Sequence, residues 1–338
     1  MSKTILLFMP ALFDLHNQVQ HALHKLNFEV DYIEDYKGRF SPLDRKSKFK
    51  TIKKLYFKYF NPNKKRLLNK NIFNSKKKYD YFLCVNGFSL DKSLIEHLRK
   101  INPKIQTILY LYDSINFYDF TNHFSLFDKV YTFDYVDAKK YNLNILPLFW
   151  NIVNSPQTSN NKYTYDLFFI GKLHSDRFKI LNRIAVDAKQ KGLNTYIKIY
   201  INPKTLSYFI YRLKYSYFSK MIHKLIGRML VDNIITYTPI PKNELDRIMA
   251  DSLCVIDVEI PCQSGLSNRL IQALAMNKKL LTTNITIKET QLYNSSMIAF
   301  IERNNPIVPI DFLRISNEKI NNIENLRIDN WLKTLLNI

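Results

Sequence analysis

Residues 254–284 read CVIDVEIPCQSGLSNRLIQALAMNKKLLTTN, and this stretch decides the fold. An apolar run, CVIDV, gives way to a polar loop with Gly265. A helical segment opened by Ser267 follows, then a second apolar run behind Lys278 and Lys279. Apolarity that is continuous rather than alternating marks a strand covered on both faces, hence a parallel sheet, and strand–helix–strand at this spacing is a βαβ unit. Ser267 is a good N-cap residue, and Leu270, Ile271 and Leu274 share the helix face that would bury against the sheet.

The same pattern runs outward in both directions. Before it stand TILLFM (4–9), FEVDYI (28–33), YDYFLCV (79–85), TILYLY (107–112), KVYTF (129–133) and NILPLF (144–149). Helical segments such as HNQVQHALHKLN and DKSLIEHLRKIN lie between them. YDLFFIG (165–171), TYIKIYI (195–201) and NIITYT (233–238) lead into the central unit, and MIAFI (297–301) follows it. The polar stretch WNIVNSPQTSNNKYT (150–164) reads as an exposed connection. The expected organisation is an α/β domain over residues 1–150, a linker over 151–164, a second α/β domain over 165–325 and a C-terminal helix over 326–338. Asp329 is the expected N-cap of that last helix.

The length of 338 residues suits two such domains, and 46% hydrophobic residues exclude a wholly disordered chain. No apolar run approaches a membrane span, and MSKTILLFMPALFDL carries no signal-peptide cleavage site, so a cytoplasmic location is expected. Cys84, Cys254 and Cys262 show neither disulfide nor zinc spacing and read as core thiols. The net charge of +21 is concentrated locally. Residues 43–79 hold fourteen Lys or Arg against Asp44 alone, and residues 204–230 hold six basic and no acidic residues, both interleaved with Tyr and Phe. Such stretches suit an anionic membrane surface, although a solvated face packed through its aromatics gives the same pattern. No nucleic-acid-binding motif accompanies the charge, so no nucleic acid partner is expected.

In open parallel sheets, ligands bind beyond the carboxyl ends of the strands. Gly171 and Lys172 follow one strand directly and precede a helix that starts near Ser175 or Asp176, where a glycine lets an anion approach the backbone. In the central unit, the helix start at Ser267 and the forked charge of Arg269 make a phosphate seat. Arg269 and Gln272, three apart, are expected to project toward the same pocket. An ordinary crossover with a polar N-cap gives the same spacing.

The wording QSGLSNRLIQALAMNKKLLTTN resembles a motif of bacterial nucleotide-sugar glycosyltransferases of the GT-B type, which assemble lipopolysaccharide, O-antigen and capsule. The segments YDYFLCVNGFSL, ILYLYDSINFYDF, FDKVYTFDYVDAKKYNLNILPLFW and YDLFFIGKLHSDRFKIL resemble others of that family in the same order, over residues 78–335. The resemblance implies two Rossmann-like domains facing across a cleft, with the donor on the second, the acceptor on the first, and a C-terminal helix returning to the first. It implies a nucleotide-sugar co-substrate and a glycan or lipid-linked glycan acceptor, with no further cofactor and no metal. Carried over by position, Gly171, Lys172, Ser264, Gly265, Leu266, Ser267 and Arg269 contact the donor diphosphate or sugar. Tyr237, Pro239 and Ile240, in TYTPIPKNELD, flank its base.

Two positions depart from the family pattern. The acid that usually takes the ribose hydroxyls is Gln272 here, which loses the charge-assisted part of that contact. Ser264 stands where retaining relatives have their first glutamate, which points to inversion. An inverting transfer needs a base for the acceptor hydroxyl. Asp113, at the end of ILYLYD, is the first candidate and Asp14, after the first strand, the second; Asp113 as a helix N-cap is the competing reading. His16, His21 and His24 form no metal triad. Asp257 and Glu259 resemble the acid-x-acid metal motif of a single-domain glycosyltransferase architecture that this chain does not follow. A glycosyltransferase peripheral to the inner face of the cytoplasmic membrane is the leading expectation. A catalytically inactive binding or scaffold protein of the same fold is the alternative.

Overall fold

A computed structural model describes residues 2–11, 14–35, 76–151, 163–202 and 234–338. The basic stretch 204–230 lies wholly outside these residues, as does most of 43–79 and of the 151–164 connection. The chain divides into two compact units, one comprising Met1–Asn151, Cys262–Leu266 and Glu324–Ile338, the other Ile152–Pro261 and Ser267–Ile323. Residues 262–266 and 324–325, expected in the second domain, thus group with the first.

The first unit holds β1 (Lys3–Met9), β2 (Phe28–Glu34), β3 (Tyr81–Val85), β4 (Gln106–Leu111), β5 (Lys129–Thr132) and β6 (Asn144–Ile145), all parallel in the order β2-β1-β3-β4-β5-β6. Its strands are apolar on both faces because each face meets helices. Ile5, Leu7, Leu83 and Val85 point to one side, toward α1 (Leu15–Lys25) and the C-terminal helix. Leu6, Phe8, Phe82 and Cys84 point to the other, toward α2 (Lys92–Ile101). The segment NILPLF pairs over two residues only. Pro147 has no N–H to continue the ladder, while Leu146, Leu148 and Phe149 turn into the core.

The second unit holds β7 (Tyr165–Lys172), β8 (Thr195–Tyr200), β9 (Ile235–Thr236), β10 (Ser252–Asp257), β11 (Lys279–Thr282) and β12 (Ile298–Phe300), again all parallel. Their order is β12-β11-β10-β7-β8-β9. Counted from β7 this is 3-2-1-4-5-6, the Rossmann order. Helices α4 (Arg177–Gln190), α5 (Lys242–Ala250), α6 (Asn268–Ala275) and the short α7 (Ile310–Arg314) belong to this unit, and α3 (Tyr135–Tyr141) to the first. Lys278 and Lys279 are buried and structural: Lys279 donates to the Ser296 carbonyl at 2.8 Å and Lys278 to that of Ala250.

The last helix, α8 (Ile328–Leu336), packs Trp331, Leu332, Leu335 and Leu336 into the core of the first unit. Trp331 stacks edge-on against Tyr110 and donates to the Pro147 carbonyl at 2.9 Å. Its N-cap is Arg327 rather than Asp329. The Asp329 carboxylate, in the first turn, is instead drawn back onto the Arg327 guanidinium at 2.6 Å. Among the described residues, no helix is long and apolar enough to cross a membrane. Cys84 and Cys254 are buried free thiols and Cys262 is half-buried.

Candidate functional site

In the second sheet the order of strand addition reverses between β7 and β10, so the switch point lies beyond Lys172 and Asp257. Ser267 caps α6 as expected: its hydroxyl accepts from Leu270 N at 3.1 Å and donates to the buried Asp257 carboxylate at 2.7 Å. Arg269 lies flat across the end of β7. Its Nη1 donates to Asp257 at 2.9 Å, its Nε to the Ile170 carbonyl at 2.9 Å, and its plane covers the Phe169 ring at 4.3 Å. A Cβ on Gly171 would stand 2.5 Å from Arg269 Nη2 and 3.2 Å from Arg177 Nη1. Glycine is needed at this point because two guanidinium groups pass over it.

Two further arginines complete the cluster, neither of them anticipated from the sequence. Arg177, one residue past the α4 cap, donates to the Val258 carbonyl and to that of Lys172 at 2.8 Å. Arg303, just past β12, pairs with Asp176 at 2.8 Å and Glu259 at 2.5 Å. Burial and the adjacent Arg269 push Arg177 down to about 9. His174 is pushed down to about 3, first by burial and then by Arg177 and Arg269, so its imidazole is neutral near pH 7. Its Nδ1 lies 2.9 Å from the Ser175 hydroxyl, and Ser175 holds a left-handed backbone, φ 42°. After burial, Arg269 and Arg303 both lower Arg177, while Asp257, Asp176 and Glu259 pair with the first two and balance part of the positive charge at the switch point. The one available signal for Arg303 and Arg177 was their place just beyond strand ends.

Asp257 and Glu259, each committed to an arginine, do not make a metal pair. Among the described residues no group of three His, Cys, Asp or Glu is placed to hold a metal ion. Gln272 diverges from Arg269, contrary to the expectation of a shared pocket: its Nε2 donates to Asp246 of α5 at 2.6 Å, and Asp246 also pairs with Lys242 at 2.5 Å. Three positions along a helix turn a side chain by about 60°, enough here to send one toward β7 and the other toward α5. Lys172, which with Gly171 ends β7 rather than following it, is exposed, as is Tyr237 on the loop after β9, where Ile240 is half-buried.

Ser264, Gly265 and Leu266 fall in the first unit, so the expected donor contacts are divided between the two units. Asp134, the buried N-cap of α3, accepts from Ser264 N at 2.7 Å, Ser264 Oγ at 2.5 Å and Gly265 N at 3.3 Å. A Cβ on Gly265 would overlap the Phe133 ring, and Leu266 is fully buried.

The first sheet reverses between β1 and β3. Asp14 follows β1 at the start of α1, exposed, with φ 65°, and accepts from Asn17 Nδ2 at 2.6 Å. His16 stacks on Tyr32 at 5.4 Å. Asp113 follows β4 and caps no helix. Its carboxylate accepts from Asn86 Nδ2 at 3.0 Å and from Gln263 Nε2 at 3.4 Å. Behind the Asn86 loop, buried Asp35 accepts from Phe88 N at 2.7 Å, Ser89 N at 2.9 Å and Ser89 Oγ at 2.6 Å. Burial pushes its carboxyl up to about 6.

No protein-family model and no curated protein matches this sequence. Solved structures do match its fold. A glycosyltransferase from Rickettsia africae ESF-5 superposes with a TM-score of 0.57 at 14% identity, over 99% of this chain and 97% of that one. AviGT4, a glycosyltransferase involved in avilamycin A biosynthesis, gives 0.54 at 9% identity, over 100% and 99%. Sucrose-phosphate synthase from Thermosynechococcus elongatus also gives 0.54 at 9% identity, over 99% and 94%. The architecture is therefore that of the GT-B glycosyltransferases, two Rossmann-like domains each built on a parallel six-stranded sheet.

Proposed function

We propose that this chain is an inverting glycosyltransferase that moves a sugar from a nucleotide-sugar donor to a glycan acceptor. The observation that carries the reading is the pair Arg177 and Arg269 over Gly171, with Arg303 held nearby on Asp176 and Glu259, at the switch point of a Rossmann-ordered sheet. The donor diphosphate sits there, with Lys172 and the start of α6 at Ser267 beside it. Tyr237 and Ile240 flank the base. Gln272 keeps its amide nitrogen on Asp246 and offers its oxygen to a ribose hydroxyl.

Asp113 takes the proton of the acceptor hydroxyl as its oxygen bonds to the anomeric carbon, with Asp14 the second candidate for this role. The bond from that carbon to the phosphate oxygen breaks on the opposite face. The nucleoside diphosphate leaves with the electron pair, and the guanidinium groups take up its charge, so that the chain's own cations fill the role a metal has elsewhere.

Thermal shift with a panel of nucleotides and nucleotide sugars tests the donor site. A ligand at a hundred times its Kd stabilises the native state by about 2.7 kcal/mol, a rise of roughly 5–10 °C for a domain of this size. A panel in which no nucleoside diphosphate or nucleotide sugar moves the midpoint sinks the proposal. The tie between Gln272 and Asp246 favours a second reading, a donor-binding protein without turnover. Binding with neither transfer nor donor hydrolysis would select it.

The acceptor we assign is a lipid-linked or lipopolysaccharide, O-antigen or capsule glycan at the inner face of the cytoplasmic membrane. The sequence resemblance and the basic aromatic stretches at 43–79 and 204–230 support this. Each Lys or Arg near anionic headgroups adds about 1 kcal/mol, so the protein should sediment with phosphatidylglycerol vesicles at low salt and be released as salt rises. Equal retention on neutral vesicles, or none on either, contradicts the surface.

A further inference from the structure

The β3–β4 pairing ends at Val85 and Tyr110, and beyond it Asn86 carries the contacts on to Tyr112 and Asp113. Asn86 is fully buried and left-handed, φ 64°. Its backbone N–H donates to the Tyr110 carbonyl at 2.9 Å, its Oδ1 accepts from Tyr112 N at 2.7 Å, and its Nδ2 donates to Asp113 Oδ2 at 3.0 Å. The orientation of the amide is forced. A backbone N–H only donates, so the oxygen must face Tyr112 and the NH2 must face Asp113. Asn also tolerates the left-handed backbone that most residues avoid. The loop behind it is clamped by Asp35 on Phe88 and Ser89 and by His123, whose Nε2 lies 3.0 Å from the Gly87 carbonyl.

We infer that Asn86 is a positioning residue: its amide extends the ladder past the strand ends and holds the Asp113 carboxylate in a single orientation, with Oδ2 on Asn86 and Oδ1 3.4 Å from Gln263 Nε2. The inference rests on the reading of Asp113 as the base for its bearing on catalysis, but not for the contact itself. Among the groups at the carboxylate are the amides of Asn86 and Gln263, and its charge, after burial, helps push the neighbouring Tyr112 phenol well up.

The test is a carboxyl-carbon NMR titration of Asp113, its resonance identified by its loss in Asp113→Asn, in the wild type, Asn86→Gly and Asn86→Asp. Glycine keeps the left-handed backbone and deletes the amide; aspartate keeps the acceptor for Tyr112 but places a like charge where the donor stood. The Asp113 midpoint should rise by about one pH unit in Asn86→Gly, a tenfold change in proton affinity, and further in Asn86→Asp. The acid limb of kcat should move with it while KM for the donor stays. A midpoint unchanged in both variants overturns the inference, whatever happens to activity. Should Asp113→Asn retain full turnover, the base assignment fails while the titration still decides the contact.

Discussion

Arg269→Ala should lower kcat/KM by about a thousandfold, toward the upper end of what removal of one charge-stabilising donor costs. Arg269 spans Ile170, Asp257 and the Phe169 face and covers Gly171. Alanine leaves Asp257 buried and without its cation, so stability should fall as well, by about 3–5 kcal/mol. Arg269→Ala combined with Asp257→Asn separates the two effects, because it removes the stranded charge. It should recover much of the stability and none of the turnover. Recovery of turnover by the double variant would show that Arg269 serves the fold alone.

Asp113→Asn should reduce kcat by roughly a hundred- to ten-thousandfold, the range for loss of a general base. Donor KM should stay unchanged, since the donor seat lies on other residues. Asparagine is nearly isosteric, and its oxygen still accepts from Asn86 Nδ2, so the loss cannot be blamed on a disordered loop. Steady-state kinetics against saturating acceptor gives the number. If Asp14→Asn carries the loss and Asp113→Asn does not, the roles are exchanged. Asp14, exposed and bound only locally to Asn17, would then be the residue meeting the acceptor.

The sheets were legible because a strand buried on both faces must be apolar throughout, and Ile5 to Met9, Phe82 to Val85 and Cys254 to Ile256 are. The cap at Ser267 was legible because capping is local. What escaped was set by distance along the chain. Arg177 and Arg303 converge on the ends of β7 and β10 from separate elements, and Asp134 meets Ser264 across 130 residues of sequence. Spacing could place Arg269 and Gln272 on neighbouring faces, but not foresee that Asp257 would draw one and Asp246 the other. Asp329 failed as a cap because a long flexible guanidinium two residues earlier competed for its carboxylate.

The indole of Trp331 binds the carbonyl of Pro147, 184 positions earlier in the chain. During vectorial synthesis the amino-terminal half therefore leaves the ribosome with one face of its sheet covered by α1 but not yet by α8. That face stays sticky until the final helix arrives, after the whole second unit has had time to form. The core of the first unit is therefore completed by residues translated after the second unit.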